Sequence, residues 1–349
     1  MPFLRARTGT PFERSVLAIL SVAIVALYAS VLAGVDFASA ARQGIDGGAD
    51  TAPRGEKVAL ANVPLLTGPA ARDLAALAKG VAGPIIVADT SSLSDKFDQI
   101  DYSLPAVRER RGDVPRLYLT SLPPDLAEVA PVAARKTLFI KLLLPLVLRA
   151  NEAILEDRAH VEALYGRLRS GKRLPAGDAA WVAALAANYG LSPDDLDGLL
   201  ERLDAVPPSL AIAQSIEESG WGTSRFAQDG NAVFGQWTFT AGAGIVPLSR
   251  DDGERHEVKA FDHLQQSVAT YLRNLNGHRA YREFRAARAL SRTKGVPLDG
   301  YVLAGTLSRY SERGGEYIKT IRLIMRANDL ETLDDARLRG DPAATAEDG

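Results

Sequence analysis

The stretch from Ala211 to Trp237, AIAQSIEESGWGTSRFAQDGNAVFGQW, constrains the fold more than any other part of the sequence. A proline pair at 207–208 precedes a short run with helical spacing, because proline is tolerated in the first turn of a helix. Gly220 then ends the helix, since glycine adopts the left-handed conformation that closes helices. The helix brings two carboxylates to its end, where an aromatic, glycine-rich loop begins. This pattern is typical of a carbohydrate-binding cleft.

The two carboxylates, Glu217 and Glu218, point about 100° apart around the helix and cannot both address one substrate bond. Glu218 shares the polar face with Gln214 and Ser215, and it is nearer to the helix end. Trp221 follows one turn later and would shield the acid from water, which suits a general acid that works near neutral pH. We therefore predict that Glu218 is catalytic and that Glu217 is a structural neighbour.

The composition excludes several classes of function. The 41 basic and 43 acidic residues nearly cancel, so we expect no nucleic-acid partner. The chain has no cysteine, which rules out a thiolate nucleophile and cysteine-ligated zinc. His256, His263 and His278 lack the i, i+4 spacing of helical zinc sites. We therefore expect neither a metal ion nor another cofactor.

The N-terminal sequence predicts a membrane anchor. Residues 15–35 are 21 uncharged residues, which as a helix would span the roughly 30 Å of a bilayer core. Arginines within residues 1–14 predict that this segment stays in the cytoplasm and that the remainder is exported. A cleavable signal peptide is the alternative, because Ala38-Ser39-Ala40 has the small-x-small form of a cleavage site.

The rest of the chain divides into a linker, a mixed segment, a helical domain and a tail. We assign them to residues 36–57 (flexible linker), 58–124 (mixed α/β, role unknown), 125–330 (catalytic domain) and 331–349 (polar tail). The mixed segment has a helical pattern at 70–81 and β-like runs at 84–88 and 116–119. In the domain, helices are predicted at 138–158, 176–189, 193–203, 264–275 and 316–328. We expect Pro145 to kink or divide the first.

A β-hairpin is predicted within the domain. Residues 244–250 and 256–261 flank Asp251-Asp252-Gly253, and Asp-Gly is a strong turn signal between such runs. The hairpin would form a small β-lobe beside the helices.

Two motifs resemble a known family. ESGWGTS at 218–224 and GNAVFGQW at 230–237 are similar to the glucosaminidase family of peptidoglycan hydrolases, glycoside hydrolase family 73, and within it to the Bax-type bacterial envelope proteins. The similarity covers about residues 114–329, including LPLVLRANE at 144–152. It implies a mainly α (α+β) fold, with a lysozyme-like helical domain and the β-hairpin lobe, preceded by the transmembrane helix. It also implies hydrolysis of the bond after N-acetylglucosamine in peptidoglycan glycan strands.

The resemblance also suggests roles for individual residues. By position, Glu218 matches the general acid of the family, and Tyr310 matches an aromatic residue that lines the cleft. The family places a second acidic residue in the β-lobe, for which Asp252 and Glu257 are candidates among several carboxylates. Inverting, retaining and substrate-assisted mechanisms all stay open. The two motifs supply the predicted substrate-binding residues, which are Ser219, Trp221, Asn231, Phe234, Gln236 and Trp237.

The resemblance places the exported domain in the periplasm, either anchored in the bacterial inner membrane by residues 15–35 or soluble after signal cleavage. Two alternative functions remain. A lytic transglycosylase shares the helix-end glutamate and the lysozyme-like fold, but it cuts on the muramic acid side. A non-catalytic envelope protein would instead bind glycan strands through Trp221, Trp237 and Tyr310.

Overall fold

The structure is a computed structural model that describes residues 86–248 and 255–340. The predicted membrane segment at 15–35, the helix at 70–81 and the hairpin turn with Asp252 lie outside these residues. Within the described ranges, no helix is both long enough and apolar enough to cross a membrane.

The described part of the chain is mainly helical, as predicted, with one small sheet. Its α-helices are α1 Thr90–Gln99, α2 Leu104–Arg108, α3 Val132–Arg169, α4 Ala176–Asn188, α5 Leu196–Arg202, α6 Pro208–Ser219, α7 Arg225–Gly230, α8 Leu264–Gly277, α9 Arg282–Thr293, α10 Gly300–Ala304 and α11 Gly315–Ala327. Short 3₁₀ helices occur at Leu126–Glu128, Arg279–Tyr281 and Leu330–Leu333. The strands are β1 Trp237–Thr238, β2 Gly244–Ile245 and β3 Glu257–Lys259.

The longest helix, α3, runs for 38 residues through Pro145 without interruption. Of the two predicted effects of Pro145, division of the helix is wrong, and a kink stays a prediction. An internal proline costs about 3 kcal/mol, but residues 142–148 are buried and α3 packs against both α6 and α8. Burial of these apolar side chains compensates for the lost hydrogen bond, because each contributes about 1.5–3 kcal/mol.

The central helix is α6, which agrees with the prediction at both ends. Pro208 occupies the first turn, and Gly220 closes the helix with φ 58°. Neighbours of α6 are α3, α10, α11 and the 3₁₀ helix Leu330–Leu333. As a result the polar face of α6 is also buried, and Gln214 and Ser215 are both 0% exposed.

Residues N-terminal to α3 join the same hydrophobic core as the rest of the domain. Leu93 and Phe97 of α1 are fully buried in that core, and the backbone N–H of Leu264 donates to the carbonyl of Thr120. The predicted β-like runs do not form strands at residues 86–88 or 116–119. Short apolar runs are ambiguous in sequence. Here Leu117 and Leu119 are buried in the core without forming a strand, and Ile86 is exposed.

The C-terminal residues 331–340, predicted as the start of a polar tail, also pack on the domain. Val114 forms an isolated parallel bridge with Leu338. Asp334 accepts hydrogen bonds from the backbone N–H groups of Ser209 at 2.8 Å and Gly300 at 3.0 Å. Because Pro207 offers α6 no side-chain cap, Asp334 satisfies an N–H group in its first turn.

The sheet has three antiparallel strands in the order β1-β3-β2. The predicted hairpin pairing is present, since Gly244 of β2 lies opposite Lys259 of β3. Strand β1 is not predicted by the sequence pattern, and its Trp237 pairs with Val258 on the other side of β3. These strands are only two or three residues long, so the lobe is smaller than predicted.

Candidate active site

Glu218 lies half-buried in the last turn of α6, where the chain makes a left-handed turn. Gly220, Trp221 and Gly222 have φ angles of 58°, 62° and 76°. A bulky residue at positive φ costs about 1–3 kcal/mol, and such strain clusters at functional sites. A Cβ on Gly222 would lie 2.8 Å from the Phe139 ring, so the turn packs directly on α3.

Four tyrosines surround the Glu218 carboxylate: Tyr271, Tyr281, Tyr310 and Tyr317. All are buried. Burial raises the pKa of each phenol, and the nearby charge of Glu218 raises each pKa further. The four hydroxyl groups therefore stay protonated beside the acid.

One of these tyrosines contacts the acid directly. The Tyr317 hydroxyl donates to Oε1 of Glu218 at 3.2 Å. Gln214, one turn earlier on α6, donates from Nε2 to the Tyr317 hydroxyl at 2.9 Å. Its Oε1 accepts from the Tyr271 hydroxyl at 2.6 Å. The predicted Tyr310 belongs to the same cluster, because its ring stacks on Tyr317 with centroids 5.4 Å apart.

The neighbouring carboxylate, Glu217, is held by an ion pair. Arg313 Nη1 lies 2.5 Å from Glu217 Oε1, and Arg313 Nη2 donates to the Thr320 hydroxyl at 2.7 Å. This contact ties the loop between α10 and α11, which contains Tyr310, to the end of α6.

Ser219 and Trp221 have contacts that stabilise the turn. The buried Ser219 hydroxyl donates to the carbonyl of Ser215 at 2.6 Å and accepts from Gly222 N–H at 2.9 Å. The edge of the half-buried Trp221 ring meets Phe139, and Lys136 Nζ lies 4.9 Å from its centroid. The predicted contacts of both residues with substrate stay predictions.

The second motif joins the tyrosine cluster to the β-lobe. Asn231 has φ 51°, and its Nδ2 donates to the carbonyl of Phe261 at 3.0 Å. Phe234 stacks face to face on Tyr271 with centroids 3.9 Å apart. These contacts place the loop between α7 and β1 against Tyr271, whose hydroxyl group donates to Gln214.

The end of this motif presents a buried amide and an aromatic ring. Gln236 is 6% exposed, and neither Nε2 nor Oε1 has a hydrogen-bond partner. Trp237 stacks on His256 with centroids 4.2 Å apart. An unpaired buried amide costs about 1–3 kcal/mol, which indicates a site for a polar ligand.

Glu257 is the candidate second carboxylate in the described part of the lobe, and both of its carboxylate oxygens accept hydrogen bonds from backbone N–H groups. Its Oε1 accepts from Gly242 N–H at 3.1 Å and its Oε2 from Gly244 N–H at 2.9 Å, and the residue is 7% exposed. Glu257 thus fastens the loop between β1 and β2. Its catalytic role stays a prediction, as does that of Asp252.

Four residues of the site were not singled out from the sequence: Gln214, Tyr271, Tyr281 and Tyr317. The i−4 position of Gln214 relative to Glu218 is a signal that could have identified it, because side chains four apart share a helix face. No comparable local signal marks the tyrosines. Among residues 86–248 and 255–340, no cluster of three or more His, Asp or Glu side chains could hold a metal ion.

Comparison with known proteins agrees with this geometry. Residues 199–330, which include Glu218 and all four tyrosines, match the family model "Glucosaminidase: Mannosyl-glycoprotein endo-beta-N-acetylglucosaminidase". "Protein bax" of Escherichia coli (strain K12) is 29% identical over 200 residues, which are 56% of this chain and 70% of that protein. No solved structure shows significant similarity, so the lysozyme-like fold stays a prediction. Residues 199–330 therefore form a glucosaminidase-type domain, which points to a glycosidase, in a chain that is similar to a Bax protein.

Proposed function

We propose that this protein is a peptidoglycan hydrolase, an N-acetylglucosaminidase that cleaves the β-1,4 bond after N-acetylglucosamine in glycan strands. The observation that supports it most strongly is the position of Glu218. This acid ends the central helix of a glucosaminidase-family domain, and it accepts a hydrogen bond from one of four buried tyrosines. A half-buried carboxyl group beside buried aromatic rings suits general acid catalysis.

In the proposed reaction, Glu218 gives its proton to the glycosidic oxygen while the bond from C1 to that oxygen breaks. The electron pair of the bond stays on the oxygen, which leaves as the hydroxyl group of the next sugar. With inversion, a water oxygen bonds to C1 in the same step and loses its proton to a second carboxylate. With retention, the acetamido oxygen of the substrate or a carboxylate oxygen first bonds to C1. A water oxygen then bonds to C1, the bond from C1 to that nucleophile breaks, and Glu218 takes the proton of the water.

The contacts of Glu257 favour the substrate-assisted route among these options. Both of its carboxylate oxygens already accept backbone hydrogen bonds, whereas the acetamido nucleophile comes with the sugar. The anomeric configuration of the first product separates the routes. Retention supports the acetamido group or a carboxylate nucleophile, and inversion supports a carboxylate base.

We also propose that Gln236 recognises the acetamido group. That group offers one N–H donor and one carbonyl acceptor, which complement the unpaired amide of Gln236. Phe234, two residues earlier, stacks on Tyr271, one of the four tyrosines around Glu218. We expect Gln236→Met to raise KM for N-acetylated glycan and to change KM little for de-N-acetylated glycan.

The location of the protein is a separate proposal. We propose that residues 15–35 anchor it in the bacterial inner membrane with the domain in the periplasm. Support comes from the uncharged run and the arginines before it.

The function is tested with purified peptidoglycan and two matched variants. We expect Glu218→Gln to lose about 10²- to 10⁴-fold in rate and Glu217→Gln to stay active, because a partly exposed ion pair contributes only about 0.2–1 kcal/mol. Mass spectrometry should find reducing-end N-acetylglucosamine. Clearing by Glu218→Gln would refute the proposal. 1,6-Anhydromuramic ends would instead indicate a lytic transglycosylase, and binding without turnover a glycan-binding protein.

A further inference from the structure

A chain of three hydrogen bonds leads from the domain core to the acid. It runs from Tyr271 to Gln214, from Gln214 to Tyr317, and from Tyr317 to Glu218, at 2.6, 2.9 and 3.2 Å. Tyr271 and Gln214 are 0% exposed and Tyr317 is 2% exposed. Water therefore does not compete for these groups, and their geometry fixes the direction of each bond.

The amide of Gln214 sets this direction. An amide nitrogen can only donate and an amide oxygen can only accept. The 2.6 Å contact suits an O–H···O bond and the 2.9 Å contact an N–H···O bond. The Tyr317 oxygen therefore accepts a hydrogen bond from Gln214, and its own single proton points to Oε1 of Glu218.

We propose that Gln214 is a positioning residue that fixes the Tyr317 hydroxyl as a donor to Oε1 of Glu218 and thereby favours Oε2 as the oxygen that carries the transferable proton. A carbonyl oxygen is a better hydrogen-bond acceptor than the hydroxyl oxygen of a carboxylic acid, so the bond from Tyr317 to Oε1 favours the acid form of Glu218 with its proton on Oε2. This inference rests on the proposed role of Glu218 as general acid. It adds a specific atom, and a residue that does not contact the substrate.

The opposite orientation of the Gln214 amide would favour the other position of the Glu218 proton. With the amide reversed, Tyr317 would donate to Gln214 and present a lone pair to Oε1. Only a proton on Oε1 could then complete the contact with Glu218. The orientation of one buried amide thus favours one of the two Glu218 oxygens as the proton donor to the glycosidic bond.

The same polarity favours the transition state. When Glu218 transfers its proton, negative charge develops on the carboxylate, and a hydrogen bond to a charged acceptor is stronger than one to a neutral acceptor. Tyr317 already points at Oε1, so no group needs to reorient as the charge forms. Loss of the chain should lower kcat more than it raises KM.

The test compares Gln214→Met, Tyr317→Phe and the double variant in steady-state hydrolysis of soluble glycan strands. Methionine has a similar length and no hydrogen-bonding amide. We expect each single variant to lose about 10- to 100-fold in kcat, with KM changed by about twofold or less. In the Tyr317→Phe background, Gln214→Met should cause no further loss, because both variants break one chain.

The matched control is Ser215→Ala, which removes a buried hydroxyl from the adjacent position of α6. That hydroxyl has no hydrogen-bond partner in the structure, so kcat should not change. Circular dichroism melting of each variant separates loss of fold from loss of rate. If Gln214→Met does not fold, Tyr271→Phe replaces it, with an expected loss of about 2- to 5-fold in kcat.

The proposal is overturned if Gln214→Met, or its replacement, retains the kcat of the unmodified protein. It is also overturned if the losses multiply in the double variant, because independent effects are additive in free energy. The proposed role of Glu218 as general acid is tested separately. It is refuted if Glu218→Gln remains active in the same assay.

Discussion

Replacing Glu257 with glutamine distinguishes a loop-fastening role from a catalytic one. Glutamine keeps one acceptor oxygen but presents an NH₂ group to either Gly242 N–H or Gly244 N–H, which the carboxylate binds at 3.1 and 2.9 Å. One hydrogen bond to a charged acceptor is lost, which costs about 1.5–3 kcal/mol. At about 1.4 kcal/mol per tenfold, loop opening should become about 10- to 150-fold more frequent.

Amide hydrogen exchange measures this opening directly, because exchange in native proteins reports local unfolding. We expect faster exchange at residues 239–244 and unchanged exchange in α6. The kcat of Glu257→Gln should fall by less than about tenfold, whereas removal of a general base costs about 10²- to 10⁴-fold. The exposed Asp229, near the lobe, provides the control Asp229→Asn. A loss of kcat beyond 100-fold with unchanged loop exchange would refute the loop-fastening role.

Three further predictions concern stability, the turn and location. Arg288 is 0% exposed and donates to the carbonyls of residues 201, 202, 204 and 205. Arg288→Ala should therefore lower the free energy of unfolding, measured with denaturant, by about 3–5 kcal/mol. A decrease below about 1 kcal/mol contradicts this. Gly222→Ala should slow hydrolysis and lower Tm, because the added Cβ meets Phe139 at φ 76°; an unchanged Tm contradicts this. The full chain should stay in membranes after alkaline carbonate washing and be released when residues 1–57 are deleted; equal release of both forms contradicts the anchor.

Short-range sequence signals predicted the central helix correctly but gave wrong predictions for other segments. Proline at the first turn and glycine at the end act within a few residues, and α6 therefore begins and ends as expected. Continuity through Pro145 could not be predicted, because it depends on burial against helices distant in the sequence. The run at 116–119 has apolar residues but no partner strand, and pairing of a strand is not encoded in the strand alone.

The sequence by itself determined that Glu218 stands at the end of a helix, before an aromatic turn. Only the tertiary structure decided what surrounds it. Tyr271 and Tyr317 lie 57 and 103 positions from Gln214 in the sequence, and no periodic pattern links residues so far apart. Packing of α8 and α11 around α6 brings their hydroxyl groups to one buried amide. Because a buried polar group must find its partner inside the fold, that packing fixes the hydrogen bonds and orients the acid.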